Sequence, residues 1–121
     1  MQLDSLDPST PLPAQLAEKT GPIVLVNTFV VPEGKTDEVI AAFRADAAFL
    51  KSRPGFLSAQ LHRGTAGSNL LLNVAVWEST EALADAFADP AFHRSAHQFP
   101  EGVRILPHVY EKIAVPGVCV A

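Results

Sequence analysis

In the apolar run LLNVAVWES (Leu71–Ser79), Asn73, Ala75 and Trp77 stand two residues apart. In a strand that spacing turns all three side chains to one face, with Asn73 and Trp77 about 13 Å apart between Cα atoms. A buried amide without a partner costs about 1–3 kcal/mol, so Asn73 needs either a satisfying neighbour or a task. Ala75 is small, and the amide and indole therefore flank a gap. An apolar gap with a few amide, indole and imidazole groups suits a flat aromatic ligand carrying hydroxyls or carbonyls.

Other residues could join them. Asn27 sits in a comparable run, IVLVNTFVV, in line with Leu25 and Phe29. Ser58, Gln60 and His62 share one face of FLSAQLHR, and His62 is a candidate base or proton shuttle if these groups converge with the amides under the helices. Each has an ordinary structural alternative: Trp77 as core filler, the asparagines as ties to loop backbone, His62 as a surface residue beside a hairpin. His93 and His97 are four apart on an expected helix, a spacing that lets two imidazoles share a metal. With no HExxH glutamate and no evident third ligand, no metal is expected, and the pair reads as a solvated helix face with one histidine at a pocket mouth. For His108 and Tyr110, strand parity alone does not choose between the pocket and a subunit seam. Arg44 and Arg94 read as surface charges, either able to recognise a carboxylate. The sequence holds no Ser-His-Asp motif, phosphate-binding glycine loop, paired-carboxylate site or dinucleotide fingerprint.

The elements that must position these residues follow a βαββαβ order. Ile23–Val31 is β-branched and ends at Pro32, a strand signal. Thr36 is an expected N-cap, with Asp37 and Glu38 in a first helical turn. Val39, Phe43, Ala47 and Leu50 share the apolar face of that helix, while Arg44, Asp46 and Lys51 fall on its other sides. Arg53-Pro54-Gly55 ends it. Phe56–Arg63 and Leu70–Glu78 form a hairpin around GTAGSN. Ser79 or Thr80 caps a second helix with Leu83, Ala86 and Phe87 on one side, Asp89-Pro90 marks a break and fresh start, and His108–Val115 closes as the last strand. This order predicts an α+β, ferredoxin-like antiparallel sheet with both helices on one face. The strands are apolar on both faces: Leu72, Val74 and Val76 point away from Leu71, Asn73, Ala75 and Trp77. A sheet apolar on both sides must bury both, and a second copy packed face to face is the simplest cover.

Bulk properties narrow the classes. A chain of 121 residues suits one domain: a flexible arm over 1–21, a domain over 22–115 and a tail over 116–121. Its net charge of −4 argues against a nucleic-acid partner, which favours a basic patch. Cys119 is the single cysteine, so neither an intrachain disulfide nor a thiolate zinc site can form. Without a signal-peptide pattern or a long apolar run, no membrane partner is expected and a cytoplasmic location is.

The pieces FVVPEGKTDEVIAAF, RPGFLSAQLHRGT and NVAVWESTEAL resemble the antibiotic biosynthesis monooxygenase superfamily of dimeric α/β barrels, over about residues 22–115. Within it the chain is most similar to cofactor-independent oxygenases that convert anthrone-type polyketide phenols to quinones with O2. That resemblance implies a homodimer, an aromatic substrate, no cofactor beyond molecular oxygen and no metal. It places Asn73 and Trp77 with His62 as catalytic; Asn27, Phe43, Leu83, Phe87, His97 and Tyr110 are expected around the substrate. Leu83 stands where that group has a tyrosine, and the group's arginine in the last helix has no counterpart in register. A heme-degrading branch is resembled at Asn27 and Gly34, with Ala86 where that branch has a second tryptophan. A cyclase or isomerase on the same fold, or a non-catalytic binding dimer, are the remaining alternatives.

Overall fold

The structure is a computed structural model and describes residues 2–95 and 98–121. Its elements run β1 (Gln2–Leu3), α1 (Leu12–Ala17), β2 (Ile23–Val30), α2 (Thr36–Lys51), β3 (Phe56–Arg63), β4 (Leu70–Trp77), α3 (Thr80–Ala88), α4 (Pro90–Ser95) and β5 (Arg104–Tyr110). The sheet order is β1-β5-β2-β4-β3. Each neighbouring pair among β5, β2, β4 and β3 is antiparallel, and β1 adds a short parallel edge to β5. The result is the ferredoxin-like arrangement extended by one strand, an open mixed sheet.

Local chemistry accounts for most boundaries. Lys35, not Thr36, is the N-cap of α2 and makes no side-chain cap bond, while Asp37 and Glu38 lie in the first turn and Lys51 in the last, each sign matched to the helix dipole. Ser79 caps α3: its hydroxyl accepts from the Ala82 N–H at 3.0 Å. Asp89 accepts from the Ala91 N–H at 2.8 Å where the chain restarts at Pro90. Gly55 adopts φ +88°, and a Cβ there would collide with the Ala82 side chain, so this turn against α3 requires glycine.

Two elements differ from the sequence expectation. The last strand starts four residues earlier than His108 and runs through Pro107, which pairs with Asn27. Strand β1 reaches only Arg104 and Ile105, so Pro107 lies on an edge where its missing N–H is tolerated. The arm expected to be loose is fastened to the domain. The Gln2 N–H donates to Val103 O (2.8 Å) and the Asp4 N–H to Ile105 O (2.9 Å), while Leu12 and Leu16 of α1 pack on the core. Partial burial of these two leucines, worth roughly 25 cal/mol per Å² of apolar surface removed from water, supplies what prolines alone would not.

The buried interior divides in two. Ile23, Leu25, Ala75, Trp77, Leu83 and Ala86 form one cluster, and Phe29, Val31, Val39, Leu71, Val103 and Ile105 the other. Between them the cross-sheet row reads Pro107, Asn27, Asn73, Leu61. No helix among the described residues is long and apolar enough to cross a membrane.

Candidate active site

Successive register rows contribute Leu25, Ala59, Ala75, Asn27, Asn73, Pro107, Phe29 and Ile105 to the floor of a cavity under the helices. One row is Val109, Leu25, Ala75 and Ala59, the next Pro107, Asn27, Asn73 and Leu61, the next Ile105, Phe29, Leu71 and Arg63. Paired residues in adjacent strands face the same side, so the two alanines leave a hollow beside the two amides. The hollow is open, with a volume of about 250 Å³. Helix α2 supplies Phe43, Asp46, Ala47 and Leu50, a run of i, i+3, i+4, i+7 positions, while Phe87, Phe92, His93 and Phe99 close the roof.

Asn73 is 6% exposed, and its Oδ1 has no hydrogen-bond partner among the described residues. An orphaned buried carbonyl of this kind costs free energy that a bound donor would return. Trp77, 1% exposed, meets Phe56 edge-on at 5.4 Å between ring centroids, which fixes the indole in the cavity wall. Phe29 holds Phe43 edge-on at 6.3 Å and stacks with Phe99 at 5.8 Å. The lining is aromatic and aliphatic apart from the two amides, the indole, Asp46 and His93.

Asn27, Asn73, Trp77, Phe43 and Phe87 thus meet in one cavity. His62 does not join them: its register partner is Leu72, on the opposite face of the sheet, and its Nδ1 lies 3.3 Å from the Leu72 carbonyl oxygen. The cause is a bulge between Phe56 and Ser58. Phe56 and Trp77 face the cavity together, and unbroken alternation would carry Ser58, Gln60 and His62 with them. The extra residue reverses the parity, so Ala59 and Leu61 face inward instead. Leu83 is fully buried within the cluster around Trp77 and does not reach the cavity wall. Tyr110 pairs with Val24 on the other face, is 42% exposed and lies edge-on to His108 at 5.0 Å. His97 lies outside the described residues.

Asp46, expected on the other sides of its helix, and His93, expected on a solvated helix face with one histidine of its pair at a pocket mouth, both lie in the wall. The signal for Asp46 was its position three residues after Phe43, which places it on the same flank of α2. Among the described residues, no group of three or more His, Cys, Asp or Glu side chains comes together as a metal site.

Residues 22–98 match the family described as antibiotic biosynthesis monooxygenase. The chain belongs to the antibiotic biosynthesis monooxygenase family. This family member is 36% identical over 70 residues to deoxynogalonate monooxygenase of Streptomyces nogalater, a match spanning 58% of each protein. It is 35% identical over 79 residues to the mycobilin-producing heme oxygenase of Mycobacterium tuberculosis, covering 61% of this chain and 75% of that one. Its fold superimposes on SnoaB, a cofactor-independent oxygenase from Streptomyces nogalater, with TM-score 0.68 and 25% identity, over 81% of this chain and 99% of that one. These relatives are oxidoreductases by name, and the ferredoxin-like sheet with helices expected for the family is observed here as an open sheet. The family match ends at residue 98, yet β5 completes the cavity floor through Ile105 and Pro107.

Proposed function

We propose that this chain is a cofactor-independent monooxygenase that oxidises a polycyclic, anthrone-like phenol to a quinone with O2. The observation that carries the reading is the open cavity of about 250 Å³ with an unpartnered buried amide oxygen in its floor. Its size lies just below the usual range of small-molecule pockets, about 300–1,000 Å³, and its flat aromatic walls suit fused rings. The kinship with SnoaB, described as cofactor-independent, supports the absence of a flavin or metal.

The reaction balances without a further reductant. An activated ring CH2 loses a proton, and the delocalised carbanion passes one electron to O2. Radical recombination forms a C–O bond, and cleavage of the O–O bond with loss of the second hydrogen releases water and leaves a carbonyl. One oxygen atom enters the quinone and the other becomes water. The Asn73 Oδ1 accepts from a substrate hydroxyl, while the Asn73 Nδ2 and the Trp77 indole N–H donate to the substrate oxygens or the peroxy intermediate, with Asn27 as a supporting donor. His93 and Asp46 are the titratable side chains in the described wall. A neutral imidazole nitrogen can take a proton, so His93, in the wall, takes the role of proton acceptor expected of His62.

The working unit in this reading is a homodimer. Val24, Val26, Leu72, Val74 and Val76 are half-buried on the face away from the helices, and a second copy would cover them.

The purified protein should consume O2 with an anthrone substrate, one equivalent per quinone formed, with no metal found by elemental analysis. Full turnover by an Asn73→Ala, Trp77→Phe double variant would remove the assignment, and undiminished turnover under strict anaerobiosis would favour a cyclase or isomerase. Heme degradation is the second reading, supported by the 35% identity to a heme oxygenase. A porphyrin is larger than a three-ring phenol, and the cavity favours the smaller ligand. A hemin titration that produced a shifted Soret band and verdoheme-like or bilin products would reverse that order.

A further inference from the structure

The family match begins at residue 22, yet Leu3 and Leu12, both before it, lie in the cavity wall. Residues 2–21 run along the free edge of β5 and are held at both ends. At the first end, β1 pairs with Arg104 and Ile105, and the Arg104 guanidinium donates to Asp4 Oδ2 at 2.7 Å. At the other, the Gln15 side chain replaces a missing strand: its Nε2 donates to Val109 O at 2.9 Å and its Oε1 accepts from Val109 N at 2.9 Å. Thr80 then ties down the exit of the arm, donating to Glu18 O at 2.7 Å and accepting from Thr20 N at 3.0 Å. A segment anchored this way on both sides of two leucines holds them at fixed places on the β5 side of the cavity. Leu12 also packs on the cluster around Trp77, whereas Leu3 is 63% exposed and stands at the mouth.

We propose that Leu3 and Leu12 are the size-selecting residues of this cavity. They close its β5 side, so the chain takes a compact aromatic ligand of about two or three fused rings and rejects longer ones. This rests on the aromatic-substrate reading above and adds the determinant of ring number. A single methylene misplaced in an apolar pocket changes discrimination by about 10–200-fold, so two leucine side chains suffice for the effect.

Trp77 is the single tryptophan and lies in the cavity wall, so its fluorescence reads occupancy without turnover. The full chain is titrated under nitrogen with 1-naphthol, a three-ring dihydroxyanthrone and a linear four-ring phenol. The wild type should bind the smaller two at least about tenfold more tightly than the four-ring compound. Leu3→Ala, Leu12→Ala and their combination should shrink that ratio to about threefold or less, and Leu6→Ala, on an arm residue outside the wall, should leave it unchanged. Leu3→Ala, at an exposed position, keeps the test available if Leu12→Ala loosens the fold. A ratio unmoved in Leu3→Ala and in any folded Leu12 variant overturns the proposal, as does quenching by none of the three compounds. Oxygen uptake on the same wild type separates the two readings. Binding with the expected size ranking but without O2 consumption would remove the oxygenase reading and leave the selection by Leu3 and Leu12 standing.

Discussion

Asn27 and Asn73 are register partners across the two central strands, so two amides stand side by side in the floor of one cavity. Cross-strand neighbours lie about 4.5–5.5 Å apart, close enough to engage one substrate oxygen together. Leucine at either position would join the two apolar clusters into one core. The chain keeps the amides, and with them an unpartnered carbonyl at Asn73.

Replacing that amide should therefore separate stability from activity. Asn73→Leu removes a buried unsatisfied group worth roughly 1–3 kcal/mol and should raise the melting temperature by several degrees. The same change should lower kcat by about 10²–10³, as loss of one preorganised donor does. Thermal unfolding and oxygen-electrode kinetics on one preparation check both; a variant less stable than wild type would show that Asn73 is a structural residue.

Trp77→Phe should retain the edge contact with Phe56 while deleting the indole N–H. A loss of roughly tenfold in kcat, about 1.4 kcal/mol, is expected alongside a small drop in melting temperature. Trp77→Ala should instead cost about 3–5 kcal/mol of stability through the cavity it leaves.

The two histidines should behave oppositely. His93→Ala should lower kcat by about 10²-fold as loss of a proton acceptor, whereas His62→Ala should keep kcat within about twofold, its ring being on the far face of the sheet. A large loss at His62 with none at His93 would return the base to His62.

Light scattering should give about twice the 12.9 kDa chain mass. Val74→Lys puts a charge on the centre of the outer sheet face, which the proposed dimer would bury. It should yield monomers; an unchanged mass would place any contact elsewhere.

The arm should loosen only in acid. Hydrogen bonds from Arg104 and Gln2 hold the Asp4 carboxyl below its ordinary value. A carboxyl whose pKa is lower folded than unfolded favours the folded state once pH exceeds the unfolded value, about 4. That contribution fades as pH falls from there through the depressed folded value. Amide exchange of Asp4 should thus be flat from pH 7 to about 5, after correction for intrinsic rates, and accelerate below about 4. Asp4→Asn should show no such acid step.

Much of this protein was legible in the residue order because the information is local. Period two put Asn73, Ala75 and Trp77 on one face, helical spacing aligned Val39, Phe43, Ala47 and Leu50, and Ser79 and Asp89-Pro90 marked where helices begin. The motifs around PGFLSA and WES pointed to the family. Tertiary structure decided which groups meet. A one-residue bulge after Phe56 turned His62 away and Ala59 inward, and parity cannot be counted through a bulge that no residue type announces. Asp46 and His93 reached the cavity because helix packing, not hydropathy, sets which flank of a helix faces inward. Pro107 entered a strand because its neighbour β1 stops short. The arm became a wall because Gln15, Asp4 and Thr80 find partners some 60 to 100 residues away, contacts between segments that no local pattern links.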